Sequence, residues 1–493
     1  MGRVAGRLPP YVTSPTTGAP IRRRDVGLRS ERGPVLLAVM LSVGLVAIDS
    51  TILATAVPAV VEDLGGFTQF PWLFSVYLLG QAVSVPLYSK LADQHGRKPV
   101  MLIGVALFLV GSLACGLAWN MVSLIVFRAV QGLGAGAVLP ISMTIVGDTW
   151  SLEERAKVQG YIASVWAIAA VVGPTLGGVF ADYVSWRWIF LVNLPIGLAA
   201  MWMLHRRFTE RVERAEHRFD VLGSVLLSVG GVALLLALLE GGVQWDWASP
   251  VSIALFGLAV AALVGFGYAE TRAAEPVLPL WVFRHRVILA AVLVQLVVGV
   301  LLMSLTTYVP LYAQNVLGHG AVMAGLGLAA LTLGWPLAAS NAGRLYLTLG
   351  FRTTMLIGSV FGLGGALLLL TIDADSSLLV VAIPCFVMGF GFGFVAAPSV
   401  IAAQSAVDWQ SRGVTTGVTM FSRSVGSALG VAFFGALVNA RLAGSDGTDL
   451  ERLSPSVLAP AIELTFAGTA VLAVLLLVTS ALMPNRIDAE HPA

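Results

Sequence analysis

Long apolar runs decide what this chain can become. They recur at about 34–58, 70–89, 99–118, 121–147, 157–181, 187–205, 219–241, 250–270, 287–314, 321–343, 353–372, 377–404, 414–440 and 459–483, fourteen in all. Crossing a bilayer takes roughly 20 helical residues at about 1.5 Å each. Charge is correspondingly scarce. Only 11% of the 493 residues are charged and 57% are hydrophobic, whereas soluble domains carry about 25% charged residues. The expected fold class is an all-α polytopic membrane protein.

Charge placement tests the helix count independently, because basic residues collect on the cytoplasmic side of short loops. With fourteen spans and both termini inside, nearly all of the 29 basic residues fall on the cytoplasmic side. The exceptions are Arg187, Arg441 and Arg452 outside, and Arg128 and Arg423 within helices. Residues 1–33 are rich in Pro, Gly and Arg and lack an apolar core, so they are expected to be a disordered cytoplasmic tail and not a secretory signal. Cys115 and Cys385 lie apart in apolar runs, and the six histidines are scattered, which argues against disulfide and metal sites. No basic cluster with aromatics suggests nucleic acid.

The sequence also repeats internally. KLADQHGRKPVMLIG (Lys90–Gly104) aligns with RLYLTLGFRTTMLIG (Arg344–Gly358) at an offset of 254. QGLGAGAV (Gln131–Val138) then aligns with MGFGFGFV (Met388–Val395) at 257, as do Arg155 with Arg412, Gly160 with Gly417, Gly173 with Gly430 and Gly178 with Gly435. The expected organisation is a tail (1–33), a six-helix half (34–205), a linker with two extra helices (206–286), a second six-helix half (287–484) and a short cytoplasmic tail (485–493). Parallel halves of this kind are a transporter architecture with the substrate site between them.

Against this apolar background, GLVAIDSTILATAVP (Gly44–Pro58) contains Asp49. A carboxylate in a membrane helix costs about 2.5–3.5 kcal/mol on insertion scales, and such residues are usually functional. Asp49 lies about 22 Å along the first span, and Arg128 about 12 Å inward from the other end of the fourth, so the two share a depth. An ion pair there, in low dielectric, would be strong. The only lysines, Lys90, Lys98 and Lys157, follow no P-loop glycine, so an ion gradient is the expected energy source. Asp49 is then the group that carries the proton, with Arg128 as its partner.

Four segments carry a more specific signal. SKLADQHGRK (Ser89–Lys98) makes a tight turn in which Gly96 permits positive φ, Asp93 can cap a helix and Arg97 can pair with a carboxylate. RAVQGLGAG (Arg128–Gly136) presents a GxxxG packing face. AAVVGPTLGG (Ala169–Gly178) combines Pro174 with glycines, and VSWRWIFLVNLPIG (Val184–Gly197) places Trp186 and Trp188 as interfacial anchors. Together these segments resemble the signature motifs of the major facilitator superfamily, and the chain is similar to its fourteen-helix drug:proton antiporter subfamily over roughly residues 34–484. Ser89 departs from the usual Gly of the loop motif and Gln94 from its frequent Arg.

The resemblance implies a major facilitator fold and proton-driven export of drugs or other amphipathic compounds across the inner (cytoplasmic) membrane. It implies a cytoplasmic gate of Asp93, Gly96, Arg97, Lys98, Asp148 and Arg155, and an antiporter motif of Gly173, Pro174, Gly177 and Gly178. Tyr77, Gln81, Trp166 and Gln295 are candidates for a mainly apolar cavity. A monomer without cofactor or metal is expected, with the small-molecule substrate, protons and lipid as partners. Export of an endogenous lipid, siderophore or antibiotic is the alternative. An enzyme would need paired His or carboxylates at one depth, and a scaffold would not need Asp49.

Overall fold

A computed structural model gives the structure of the protein and describes residues 26–65, 72–210, 220–241, 244–273, 276–278, 281–318, 321–373, 376–442 and 455–485. Among these, fourteen long helices follow in order. The first half holds α1 (Gly33–Leu64), α2 (Trp72–His95), α3 (Arg97–Gly116), α4 (Met121–Thr149), α5 (Leu152–Tyr183) and α6 (Trp188–Arg207). Next come α7 (Val221–Glu240) and α8 (Pro250–Glu270). The second half holds α9 (Arg286–Asn315), α10 (Ala321–Leu349), α11 (Phe351–Leu369), α12 (Leu378–Ser405), α13 (Arg412–Leu442) and α14 (Pro455–Ala481).

Twelve of these helices are long and apolar enough to cross a membrane. The other two, α2 and α13, also pack inside the bundle. Their composition explains the difference. α2 carries Gln81, Ser84, Ser89 and Asp93, and α13 carries Thr415, Thr416, Thr419, Ser422 and Arg423. Polar residues are tolerable there because these helices face protein on several sides.

Helix starts follow ordinary capping chemistry. Asn120 and Ser123 form a capping box on α4, as Ser151 and Glu154 do on α5. Asp220 caps α7, and Ser249 caps α8 with Pro250 behind it. The two repeat turns share one device: Gly96 (φ 97°) joins α2 to α3 and Gly350 (φ 86°) joins α10 to α11. A side chain at either would be strained.

The halves are packed alike. α4 lies against α2 and α3, and α12 against α10 and α11; α1 packs on α5 as α9 packs on α13. Close approach rests on glycines at repeat positions. A Cβ on Gly132 would overlap the Tyr77 carbonyl, and one on Gly389 would overlap that of Leu331. The halves join through α5 against α10 and α2 against α13, while α7 and α8 pair with each other and α7 rests on α2 and α13. Large apolar residues such as Ile103, Val110, Val171, Val260 and Val471 remain exposed on the outer faces, as suits contact with lipid tails.

Two expectations need correcting. The expected disordered tail ran to residue 33, but Val26 is buried and Arg32 pairs with Glu154 at 3.1 Å and donates to the Thr149 carbonyl at 2.8 Å. Residues 1–25 and 486–493 lie outside the described residues. Trp186 is buried instead of sitting in an interfacial belt; Trp188 is exposed. The Trp186 indole donates to Asp63 at 3.0 Å because α1 runs on to Leu64 and brings that carboxylate beneath it.

Candidate functional site

Asp49 is 1% exposed on α1, and among the described residues each hydrogen bond to its carboxylate comes from another helix. Arg128 of α4 donates from Nη1 to Oδ2 at 2.7 Å. Gln131, one turn further on, donates from Nε2 to Oδ1 at 2.8 Å, and Asn193 of α6 donates to the same oxygen at 3.2 Å. Ser112 of α3 accepts from both amides, at 3.1 and 3.0 Å, and donates to the Phe190 carbonyl at 2.9 Å. One carboxylate thus ties together α1, α3, α4 and α6.

Arg128 is held as firmly. Its Nε donates to the Leu73 carbonyl at 3.1 Å, and Nη1 also donates to Gln131 Oε1 at 2.8 Å. The guanidinium lies 4.1 Å from the Tyr77 ring centroid, a favourable cation–π contact. Tyr77 is therefore part of this cluster and not a free cavity wall. Depth arithmetic brings Asp49 level with Arg128. It does not find Gln131, Asn193 or Ser112, which are ordinary polar residues until the fold converges them.

A second cluster lies at the end where basic residues gather. Arg97 pairs with Asp93 at 2.9 Å and with Asp148 at 2.9 Å, and its Nη2 donates to the Trp409 carbonyl at 2.8 Å. Its guanidinium also stacks on the Trp409 ring at 3.9 Å. Asp93 accepts from the backbone N–H groups of Gly413 and Val414, at 3.1 and 2.8 Å, at the start of α13. That is a carboxylate on a helix N-terminus, where the dipole favours it. Arg412 crosses back to Asp148 at 3.1 Å. Arg155 donates to the carbonyls of Gly147 and Trp150. Lys98 stays within its own half among the described residues, donating to the His205 carbonyl at 2.8 Å. Trp409, Arg412 and Glu210, which accepts from the backbone of Arg97 and Lys98 at 3.0 Å, complete the cluster.

At the opposite end Asp63 accepts from Trp186 and from Arg187, the latter at 2.8 Å. The Trp186 hydrogen bond, then that of Arg187, holds this carboxyl below its ordinary value.

The sequence pattern of the Major Facilitator Superfamily matches residues 39–431. This chain belongs to that superfamily. It is 34% identical to the multidrug transporter protein MdtP of Bacillus subtilis over 84% of this chain and 77% of that protein. It is also 34% identical to multidrug resistance protein 3 of Bacillus subtilis, over 82% and 79%. With the tetracenomycin C resistance and export protein of Streptomyces glaucescens it shares 31% identity over 84% and 78%. The human organic anion transporter MFSD10 has the same fold (TM-score 0.62, 16% identity, 91% of this chain and 99% of that one).

Within this superfamily member the remaining candidates fall in different places. Gly173 lets α5 touch α1, since a Cβ there would overlap the Thr51 hydroxyl, and Thr51 donates to the Ala169 carbonyl at 3.0 Å. Gly178 faces open space. Gly177 is buried; the side chain of Pro174 lies outside the described residues. Gln295 is buried within the second half, donating to the Ala396 carbonyl and to Ser399 at 2.8 and 3.0 Å. Gln81 and Trp166 are only partly covered.

Proposed function

We propose that this transporter is a proton-coupled antiporter that exports drugs or similar amphipathic compounds from the cytoplasm through fourteen spans, with the basic end facing the cytoplasm. The observation that carries the coupling is the Asp49 cluster. A buried carboxylate held by donors from other helices is a switch: a proton on Asp49 removes the charge that Arg128, Gln131 and Asn193 converge on. Arg128 keeps Leu73 and Gln131 as partners, so α1 is the element that loosens. α1 packs on α5, and α5 packs on α10 of the other half. A change at Asp49 therefore has a route to the half–half interface.

Contacts gathered at the basic end support reading this conformation as closed to the cytoplasm. Asp93 on α13, Arg412 on Asp148, and Tyr346 donating to the Leu152 carbonyl at 3.3 Å all cross between halves there. The names of the matched relatives support drug efflux, and export of an endogenous lipid, siderophore or antibiotic is the second substrate reading.

Asp49→Asn keeps the shape and removes the charge. In liposomes with an imposed pH gradient, the variant should lose uphill transport while staying folded. Uphill transport at the parental rate would remove Asp49 from the coupling.

A further inference from the structure

Among the described residues, Arg423 is the one intramembrane cation the Asp49 cluster and the basic-end cluster leave unused. It lies on α13 and makes no ion pair among the described residues; its guanidinium meets only the Met420 sulfur, at 3.7 Å. An arginine costs free energy at such depth unless something compensates it. Its direction is fixed by its neighbours. Ser422 donates to the Val292 carbonyl and Gly426 packs on Leu296, so that side of α13 faces α9. Gly413 and Gly417 lie against Asp93 and Ser89, so another side faces α2. Leu429 and Phe433 are exposed on the outer side. Arg423 lies between these two sides, its backbone carbonyl against Gly299 of α9, and shares its side with Arg412 and Thr416, at helical spacings of 11 and 7 residues. Arg412 and Thr416 both meet groups on the central axis: Arg412 donates to the Gly147 carbonyl, and Gln404 donates to Thr416. Arg423 thus faces the space between the halves, about 16 Å from Arg412 along the helix.

The internal repeat says what stands opposite. At the 257-residue offset, Arg155 matches Arg412, Gln159 matches Thr416, and Trp166 matches Arg423. α5 shows the same geometry. Arg155 and Gln159 reach α4, Val165 touches Gly44 of α1, and Ile168 and Val171 are exposed on the outer face. Trp166 shares the face of Arg155 and Gln159 and is still 37% exposed, which reports open space beside it. Gln81 of α2 and Trp335 of α10 are likewise repeat partners, at the 254 offset. Since α2 packs on α13 and α5 on α10, one wall of this space carries Arg423 and the other Trp166; Gln81 sits where α2 meets α4, and Trp335 where α10 meets α12, edge-on to Phe392 at 5.7 Å.

We infer that this space binds aromatic compounds bearing an acidic group, the anion on Arg423 and the ring system against Trp166. The inference rests on the proposed export function and adds the charge class of its substrate. A guanidinium with no protein acid leaves its donors free for a carboxylate, sulfonate or phenolate, and it repels a cation.

The test compares two dyes with one ring system, anionic fluorescein and a cationic rhodamine ester, in equilibrium binding to the purified full-length protein by fluorescence anisotropy. The parent should bind fluorescein more tightly. Arg423→Gln should weaken fluorescein binding by about tenfold or more, the usual scale for a charged hydrogen bond, without weakening rhodamine binding. Arg423→Lys should recover part of the loss, and Trp166→Ala should weaken both dyes several-fold. A parent that prefers the cationic dye, or does not bind fluorescein, overturns the inference. So does an Arg423→Gln variant that binds fluorescein as the parent does, or that loses both dyes equally. Energised vesicles that move neither dye, while Arg423-dependent binding persists, would instead remove the export function and leave this site standing.

Discussion

Asp93→Asn is the perturbation that most directly probes the closure at the basic end. Three interactions meet on this carboxylate: the Arg97 guanidinium at 2.9 Å and two backbone N–H groups of α13 at 3.1 and 2.8 Å. Breaking a buried ion pair typically costs about 3–5 kcal/mol. That figure is an upper bound here, because Asp148 stays at 2.9 Å from Arg97 and still compensates it. The amide oxygen also keeps one backbone N–H. A net loss of about 2–3 kcal/mol for the closed arrangement is reasonable, since one charged hydrogen bond contributes about 1.5–3 kcal/mol. At about 1.4 kcal/mol per factor of ten, the closed state should become about 30- to 140-fold less favoured relative to the open one. Ser89 is a suitable reporter. It is 1% exposed, its hydroxyl has no hydrogen-bond partner among the described residues, and it lies against Gly417 at the same interface. A cysteine at Ser89 should react with a water-soluble maleimide about tenfold or more faster in the Asp93→Asn background, with protein yield unchanged. Equal or slower labelling would refute the argument, because the capped α13 N-terminus would then not be holding the halves together.

Four further outcomes follow from the same contacts. Gly132→Leu should abolish recovery of folded protein by gel filtration, since its side chain would enter the Tyr77 backbone, whereas Gly178→Ala should behave as the parent. Arg128→Ala should lower thermal stability by about 3–5 kcal/mol by stranding the Asp49 charge, and adding Asp49→Asn should restore part of it; an additive double variant would contradict the pairing. Reporter fusions after Trp247 and Ser376 should report the outside and one after Lys98 the cytoplasm; a cytoplasmic signal at the first two would break the fourteen-span topology. Asp63 is held below its ordinary value, so its contribution is present above about pH 4 and is lost as pH falls through the depressed value. The melting-temperature gap between the parent and Asp63→Asn should accordingly narrow on acidification, and it should be small throughout because the pair is half exposed.

Helix number and the repeat were legible because both are written in one dimension. Apolar length gives spans, and constant offsets give equivalent positions. The level placement of Asp49 and Arg128 was legible too, since helical rise turns sequence distance into depth. Azimuth was not. Tyr77 and Gln295 look like cavity residues from composition, but Tyr77 covers the Arg128 guanidinium and Gln295 is enclosed by α12. Asn193 lay inside a recognised motif without a role and Ser112 gave no signal, because an uncharged polar residue in an apolar helix becomes meaningful only when its neighbours are known. Trp186 was misplaced for a related reason: an indole near a helix start suits an interface, and only the extension of α1 to Asp63 draws it inward.

The same repeat that makes the halves alike in packing makes their difference informative. Gly104 and Gly358, Gly111 and Gly365, Gly132 and Gly389, and Gly134 and Gly391 all bring backbones into close approach at equivalent places. Chemistry at equivalent places diverges. Arg128 corresponds to Cys385, Gln131 to Met388, Ser112 to Ala366 and Tyr77 to Leu331. The second half therefore keeps the helix contacts of the Asp49 cluster and none of these four polar or aromatic partners. Asp93 likewise corresponds to Leu347. A symmetric scaffold lets two halves rock about a common axis, but a proton must be bound somewhere in particular. Concentrating the titratable groups of the Asp49 cluster in the first half, and Arg423, without an ion pair among the described residues, in the second, separates the site proposed to sense the proton from the wall proposed to hold an anion. Each can then change without dismantling the packing that both halves share.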